Sequence, residues 1–172
     1  ARYISYISPS VNSSGQAIFG ANNTPTTVYG ISPEYLDIRR YKVEDGDIFS
    51  EQDVKTAAKV CLVGKSVVDE LFPDGESPVG KVIRFGKIPL RIVGVLESKG
   101  YNSMGMDQDD LILAPYTTVQ KRILAITHLQ SITCSALSEE YTDQAIEEIT
   151  QILRTNHKLK ATDEDDLSLI HI

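Results

Sequence analysis

The chain contains no tryptophan, only two cysteines and two methionines, and only three histidines in 172 residues. Two cysteines are too few for a disulfide-stapled scaffold, so packing has to hold the fold. Cys61 and Cys134 each sit inside an apolar, strand-like run. That setting reads as buried free thiols packed as small hydrophobes, with a single disulfide left open in an oxidising compartment. His128, His157 and His171 show no metal-ligand spacing, and neither cysteine adjoins a histidine, so no zinc motif is present. No run of eighteen apolar residues occurs, so no helical membrane span is encoded. Positive charge is in deficit: 17 Lys and Arg face 24 Asp and Glu, for a net −7. No basic stretch stands out to neutralise phosphates, which disfavours nucleic acid as a partner. The sequence opens on Ala1 without a signal-like segment.

What is present is the composition of a folded domain, 41% hydrophobic and 24% charged. The most informative stretch runs from Lys59 to Leu96. Val60 to Val63 reads as a buried strand closed by Gly64. Ser66 is placed to cap a helix whose stripe is Val67, Val68, Leu71 and Phe72, and Pro73 stops it. Val82 to Phe85 and Leu90 to Leu96 form two strands joined at Gly86-Lys87-Ile88-Pro89, with Gly94 at a bulge or close backbone approach. Gly64-Lys65-Ser66 resembles the end of a phosphate-binding loop, but the required first Gly is Lys59 here. Gly-x-Ser-x-Gly is also incomplete, because Val68 replaces the second Gly. The turn is therefore structural, and the isolated chain is expected not to bind ATP.

Before this stretch, Tyr3 to Ile7 reads as a strand ending at Pro9, Ser10 to Gly15 as a polar loop, and Gln16 to Phe19 as the start of a second strand. Thr26 to Ile31 is a β-rich run, and Ser32-Pro33 opens a helix with Ser32 as its cap. Ser50 to Asp53 has the makings of one helical turn. After it, Glu97 to Asp110 is an exposed loop with two glycines and little apolar period. Its aspartates do not form an EF-hand, since Ile112 and Thr118 stand where Gly and Glu are required. Leu111 to Ala114 reads as a short buried strand, and Thr117-x-x-Gln120 as a capping box. Ile132, Cys134 and Ala136 read as the buried face of a strand. Thr142 caps a helix with the stripe Ala145, Ile146, Ile149, Ile152 and Leu153, and Leu167 to Ile172 alternates like a last strand.

Several of these segments together resemble the extracytoplasmic domain of MacB-type ABC transporter permeases, the macrolide-exporter family. They are Val63-Gly64, Leu71-Phe72, Pro78-Val79-Gly80-Lys81 and Val93-Gly94-Val95-Leu96, in that order and spacing. Gly30 to Tyr35, Asp45 to Phe49, the loop before Asp109-Asp110-Leu111-Ile112 and Glu164 to Ser168 extend the resemblance from about Tyr6 to Ile170. Asp47 stands where many relatives have Arg, and Leu167 where they have Phe.

The resemblance implies an α/β (α+β) fold: a porter-like subdomain from residues 1–45 and 101–172, with a sabre-like α/β insert at 46–100. It implies flanking transmembrane helices outside this sequence, and hence that Ala1 and Ile172 lie close together on one side. It also implies a non-enzymatic periplasmic domain of a bacterial inner-membrane permease. Such a permease works as a homodimer, engages a periplasmic adaptor (membrane-fusion) protein and, through it, an outer-membrane channel. ATP and Mg belong to a separate nucleotide-binding domain, with no cofactor in this one. A lipoprotein-release or cell-division type permease is the alternative within the superfamily, and a soluble ligand-binding protein or hydrolase is the alternative outside it. No catalytic constellation is visible, and no metal site. The candidate partner contact is Tyr101, Met104 and Met106 on the 100–110 loop, where adaptable side chains suit an interface that re-forms. The other reading has Met104 and Met106 tucked back over the edge of the insert.

Overall fold

The computed structural model describes residues 2–127 and 129–158. The expected last strand, Glu164 to Ser168, His128, His171 and both terminal residues lie outside the described residues.

The chain begins with a long antiparallel hairpin, β1 (Ile4–Phe19) and β2 (Asn22–Ile31), in register from Val11 opposite Gly30 to Phe19 opposite Asn22. The loop expected at Ser10 to Gly15 is not there, because β1 runs unbroken through Pro9 and the serines. Val11 and Ala17 are fully buried, while the hydroxyls of Ser14 and Thr27 meet across the strands at 3.0 Å on the exposed side. Cross-strand pairing with β2 supplies the extended backbone that the polar local sequence does not demand.

The order continues α1 (Glu34–Arg39), β3 (Val43–Gly46), α2 (Glu51–Lys55), β4 (Val60–Val63), α3 (Lys65–Leu71), β5 (Val82–Phe85), β6 (Ile88–Leu96), β7 (Ile112–Pro115) and α4 (Tyr116–Thr118). A π-helical turn (Val119–Leu124), β8 (Ser131–Ala136), a 3-10 turn (Glu139–Tyr141) and α5 (Thr142–Asn156) follow. The mixed helix and strand content agrees with the α/β class expected. Strand pairings form a circuit: β1 with β2, β2 with β7, β7 with β4, β4 with β6, β6 with β5, and β5 back to β1. All six strands feed one core, through Val11, Val28, Ile112, Cys61, Ile92 and Ile83, and α3 adds Val67, Leu71 and Phe72. The alternate residues of β4 and β7 pack on the other side. Val60, Leu62 and Leu113 join Leu36 of α1, Val54 of α2 and Phe49 in a second core. Burial on both faces explains why β4 and β7 read as unbroken apolar runs.

Four capping expectations change. Pro33, not Ser32, occupies the N-cap of α1, and the Ser32 hydroxyl is buried without a partner among the described residues. Gly64 is the N-cap of α3, so Ser66 lies inside the first turn. Thr117 forms no capping box; its hydroxyl donates to the Val54 carbonyl and ties α4 to α2. Thr142 begins α5 behind Tyr141 and caps nothing. Ser50 and Asp53 do form a reciprocal capping box on α2.

Among the described residues, 2–7 with 134–158 make a smaller compact unit, and those of 8–133 a larger one. The boundaries expected at 45/46 and 100/101 do not coincide with this division. Residues 46–100 contribute β4, β5 and β6 to the sheet that β2 and β7 also join. In the smaller unit the Leu137 N–H donates to the Tyr3 carbonyl at 2.9 Å, and the Glu148 carboxylate of α5 accepts from the Arg2 and Tyr3 N–H groups. Burial on β8 is shallower than its alternation predicts: Ile132 is 48% exposed and Cys134 only part-buried. Cys61 is fully buried, and both thiols are free. On α5, Ala145 is buried, Ile149 part-buried and Ile152 42% exposed.

Leu62→Ala removes a fully buried side chain and should cost about 2–5 kcal/mol in urea unfolding. Ile149→Ala should cost less, about 1 kcal/mol, because its face of α5 is only part-covered. Equal losses would contradict this ranking of the two sites.

Candidate partner-contact hairpin

Gly64 closes β4 and starts α3, and the chain that follows β6 returns directly over it. A Cβ at Gly64 would lie 2.1 Å from the Asp109 carbonyl oxygen, so only glycine fits. The Gly64 N–H donates to the Leu111 carbonyl at 3.0 Å, and the Ser66 N–H to that of Asp109 at 3.3 Å. The Ser66 hydroxyl donates to the Asp107 carboxylate at 2.6 Å, and Lys65 pairs with Glu44 at 2.5 Å. Every feature of Gly64-Lys65-Ser66 that suggests a phosphate cradle is thus taken up within the chain.

Asp109 is 6% exposed, and its carboxylate is the hub of this turn. It accepts from the Ser98 hydroxyl at 2.7 Å, the Lys99 N–H at 2.8 Å and the Gly100 N–H at 3.0 Å. Burial pushes its pKa up. The Lys99 N–H, the Ser98 hydroxyl, the Gly100 N–H and the Lys99 charge together outweigh that and hold it below the usual carboxylate range. The Lys99 ammonium donates to the Arg39 carbonyl at 2.6 Å and lies 4.3 Å from the centre of the Tyr41 ring. The Tyr41 hydroxyl donates to the Gln108 carbonyl at 3.1 Å, and burial pushes that phenol up to about 12.

From this base residues 100–108 rise as a small hairpin. The Gln108 N–H donates to the Gly100 carbonyl at 3.0 Å, and Tyr101 bridges Asp107. At the tip the Asn102 side-chain carbonyl accepts from the N–H groups of Met104 and Met106, at 2.9 and 3.0 Å. Gly105 takes a φ of 77°, which the tight turn requires. Tyr101, Met104 and Met106 are 73%, 79% and 60% exposed. The methionines therefore do not tuck back over an edge, and the structure brings all three side chains onto one projecting element. The sequence gives no sign of the hairpin's internal bonds, and none that Lys99 joins Arg39 and Arg40 at its foot. Those cations are sixty residues apart in the chain.

A shallow open groove lies nearby, lined by Pro33, Leu36, Asp37, Tyr41, Val43 and Ile48. Among the described residues no three His, Cys, Asp or Glu side chains are placed to hold a metal. No helix among them is long and apolar enough to cross a membrane. Fold and site together define a mixed α/β scaffold that carries a hydrogen-bonded hairpin with an exposed apolar tip.

Residues 1–152 match the family described as the MacB-like periplasmic core domain, and the chain belongs to that family. It is 41% identical over 139 residues to the macrolide export ATP-binding/permease protein MacB of Syntrophobacter fumaroxidans, covering 79% of this chain and 19% of that protein. To the MacB of Chlorobaculum tepidum it is 32% identical over 166 residues, covering 96% and 25%. The chain thus spans about a fifth to a quarter of the length of these curated relatives. The crystal structure of the periplasmic region of MacB from Actinobacillus actinomycetemcomitans superposes with a TM-score of 0.78 at 28% identity, over 92% of this chain and 70% of that one. The extracellular domain of a noncanonic ABC-type transporter, YknZ, from Gram-positive bacteria shares the fold, with a TM-score of 0.77 at 21% identity over 91% and 78%. The family is one of transporter permease domains, not an enzyme class.

Because its folded-state pKa is depressed, Asp109 contributes stability that is present above the unfolded carboxylate value near 3.9 and lost as pH falls through its folded value. Asp109→Asn should cost about 2 kcal/mol near pH 7, as expected for hydrogen bonds to a charged group. The gap to the parent should narrow on acidification below pH 4. A gap in urea unfolding that is constant or widens toward low pH would contradict the assignment.

Proposed function

We propose that this chain is the periplasmic core of a bacterial inner-membrane ABC export permease, and that its 100–108 hairpin is the point of contact with a periplasmic adaptor protein. The observation that carries the reading is the pairing of a fixed base with an exposed apolar tip. Asp109, Gly64 and Tyr41 hold the foot of the hairpin, while Tyr101, Met104 and Met106 stand in solvent. Large apolar side chains on an ordered projection suit a protein interface, since little further ordering is needed on binding. Methionine adapts to a partner surface that shifts during a transport cycle.

In this reading the domain does no chemistry and holds no cofactor. ATP and Mg act at a separate nucleotide-binding domain, as the "ATP-binding/permease" names of the longer relatives suggest. ATP hydrolysis there moves the domain, which works as one of two copies and passes the motion through the adaptor to an outer-membrane channel. That Gly64-Lys65-Ser66 is filled by the chain's own Asp109 and Glu44 supports placing nucleotide elsewhere.

Replacing Tyr101, Met104 and Met106 together with Ser tests the contact. The melting temperature of the domain should stay within about 2 °C of the parent, as for surface substitutions. In the intact transporter, adaptor pull-down and export should both fall. A melting drop of several degrees with adaptor binding intact in the folded fraction would overturn the reading.

A further inference from the structure

Three cations meet at the foot of the hairpin. Arg39 and Arg40 end α1, and Lys99 reaches them through its bond to the Arg39 carbonyl. All three are exposed. The ion pairs of Lys65 with Glu44 and of Lys81 with Glu76 use other cations. The carboxylate beside Lys99 is that of Asp109, which is buried and already accepts from Ser98 and two backbone N–H groups. Partial desolvation, then the charges of Arg39 and Arg40, pull the Lys99 pKa down, and the opposing charge of Asp109 does not offset them. Aromatic rings flank two of them: Arg39 lies over Tyr35 at 5.9 Å, and Lys99 over Tyr41 at 4.3 Å. A like-charged cluster kept together on the surface of a chain of net charge −7 is matched by a group of opposite charge brought from outside.

We propose that the surface formed by the hairpin tip and the Arg39–Arg40–Lys99 cluster docks a protein partner whose contact segment is acidic, with carboxylates on the cations and apolar side chains on Tyr101, Met104 and Met106. Lys99 directly precedes the hairpin whose tip carries the three apolar side chains, so one partner segment meets both. The inference deepens the adaptor reading and rests on it, adding the charge of the partner segment. A membrane surface fits less well, because lipid-reading clusters carry about four to eight cations and the domain's net charge of −7 opposes an anionic surface.

The test places a photo-crosslinking amino acid at Met104 of the full-length permease in cells and identifies the crosslinked peptide by mass spectrometry. The expected product is a protein segment with more Asp and Glu than Lys and Arg. Its yield should fall about tenfold in the Arg39→Glu, Arg40→Glu double variant. For the unaltered permease in isolated membranes, yield should also fall as NaCl is raised from about 0.05 to 0.5 M, which shortens the screening length to a few Å. The salt series reads the charge term even if the double variant folds poorly. A crosslinked protein segment that is neutral or basic, or a yield indifferent to both charge reversal and salt, overturns the acidic-partner inference and leaves the hairpin contact standing. A crosslink to lipid alone, or to no protein, overturns both.

Discussion

The Asp109 backbone passes so close to Gly64 that no side chain can stand between them: a Cβ would fall 2.1 Å from the carbonyl oxygen. Around that contact the chain satisfies a buried carboxylate three times over, with Ser98, Lys99 and Gly100 as donors. A buried charge is costly unless it is hydrogen-bonded, so the surrounding loop is held to one conformation wherever Asp109 is ionised. The contact lies at the end of β4, a strand packed on both faces, and the hairpin inherits its position from the best-packed part of the fold.

This arrangement converts core rigidity into surface presentation. Tyr101, Met104 and Met106 would cost free energy if left exposed on a mobile loop and then ordered by a partner. Here the internal bonds of Asn102 and the Tyr101–Asp107 bridge fix the tip in advance. At the foot of the hairpin the Lys99 ammonium donates to the Arg39 carbonyl, which ties the end of α1 to the start of the hairpin. Membership of the MacB-like periplasmic core domain family accounts for the scaffold.

Much of the fold could be read directly from residue pattern. The run Val60 to Val63 and the stripe of α3 appear where local chemistry places them, because apolar periodicity there agrees with the final packing; the β5–β6 turn is tighter than expected, Gly86-Lys87 alone, because Ile88 and Pro89 pair with Phe85 and Arg84. The course of β1 through Ser10 to Gly15 was not legible, since pairing with β2 overrides a locally polar sequence. Capping by Ser32, Ser66, Thr117 and Thr142 was also misread. Each hydroxyl is where a cap could form, but backbone entry angle or a distant partner such as Asp107 or Val54 decides its use. The exposed side chains of the candidate site stood out as apolar residues in a polar loop. Their anchor did not, because Gly64 and Asp109 are 45 positions apart and no local pattern links them.

The most direct test is backbone amide exchange at Lys99 and Gly100 in the parent and in Gly64→Ala. In the parent both N–H groups donate to the Asp109 carboxylate and should exchange slowly. The added methyl must displace Asp109, so in the variant both amides should exchange about tenfold faster or more, while amides within β4 and β6 keep their protection. Unchanged rates at Lys99 and Gly100 in a folded variant would contradict the account, because the hairpin would then be held by something other than this contact.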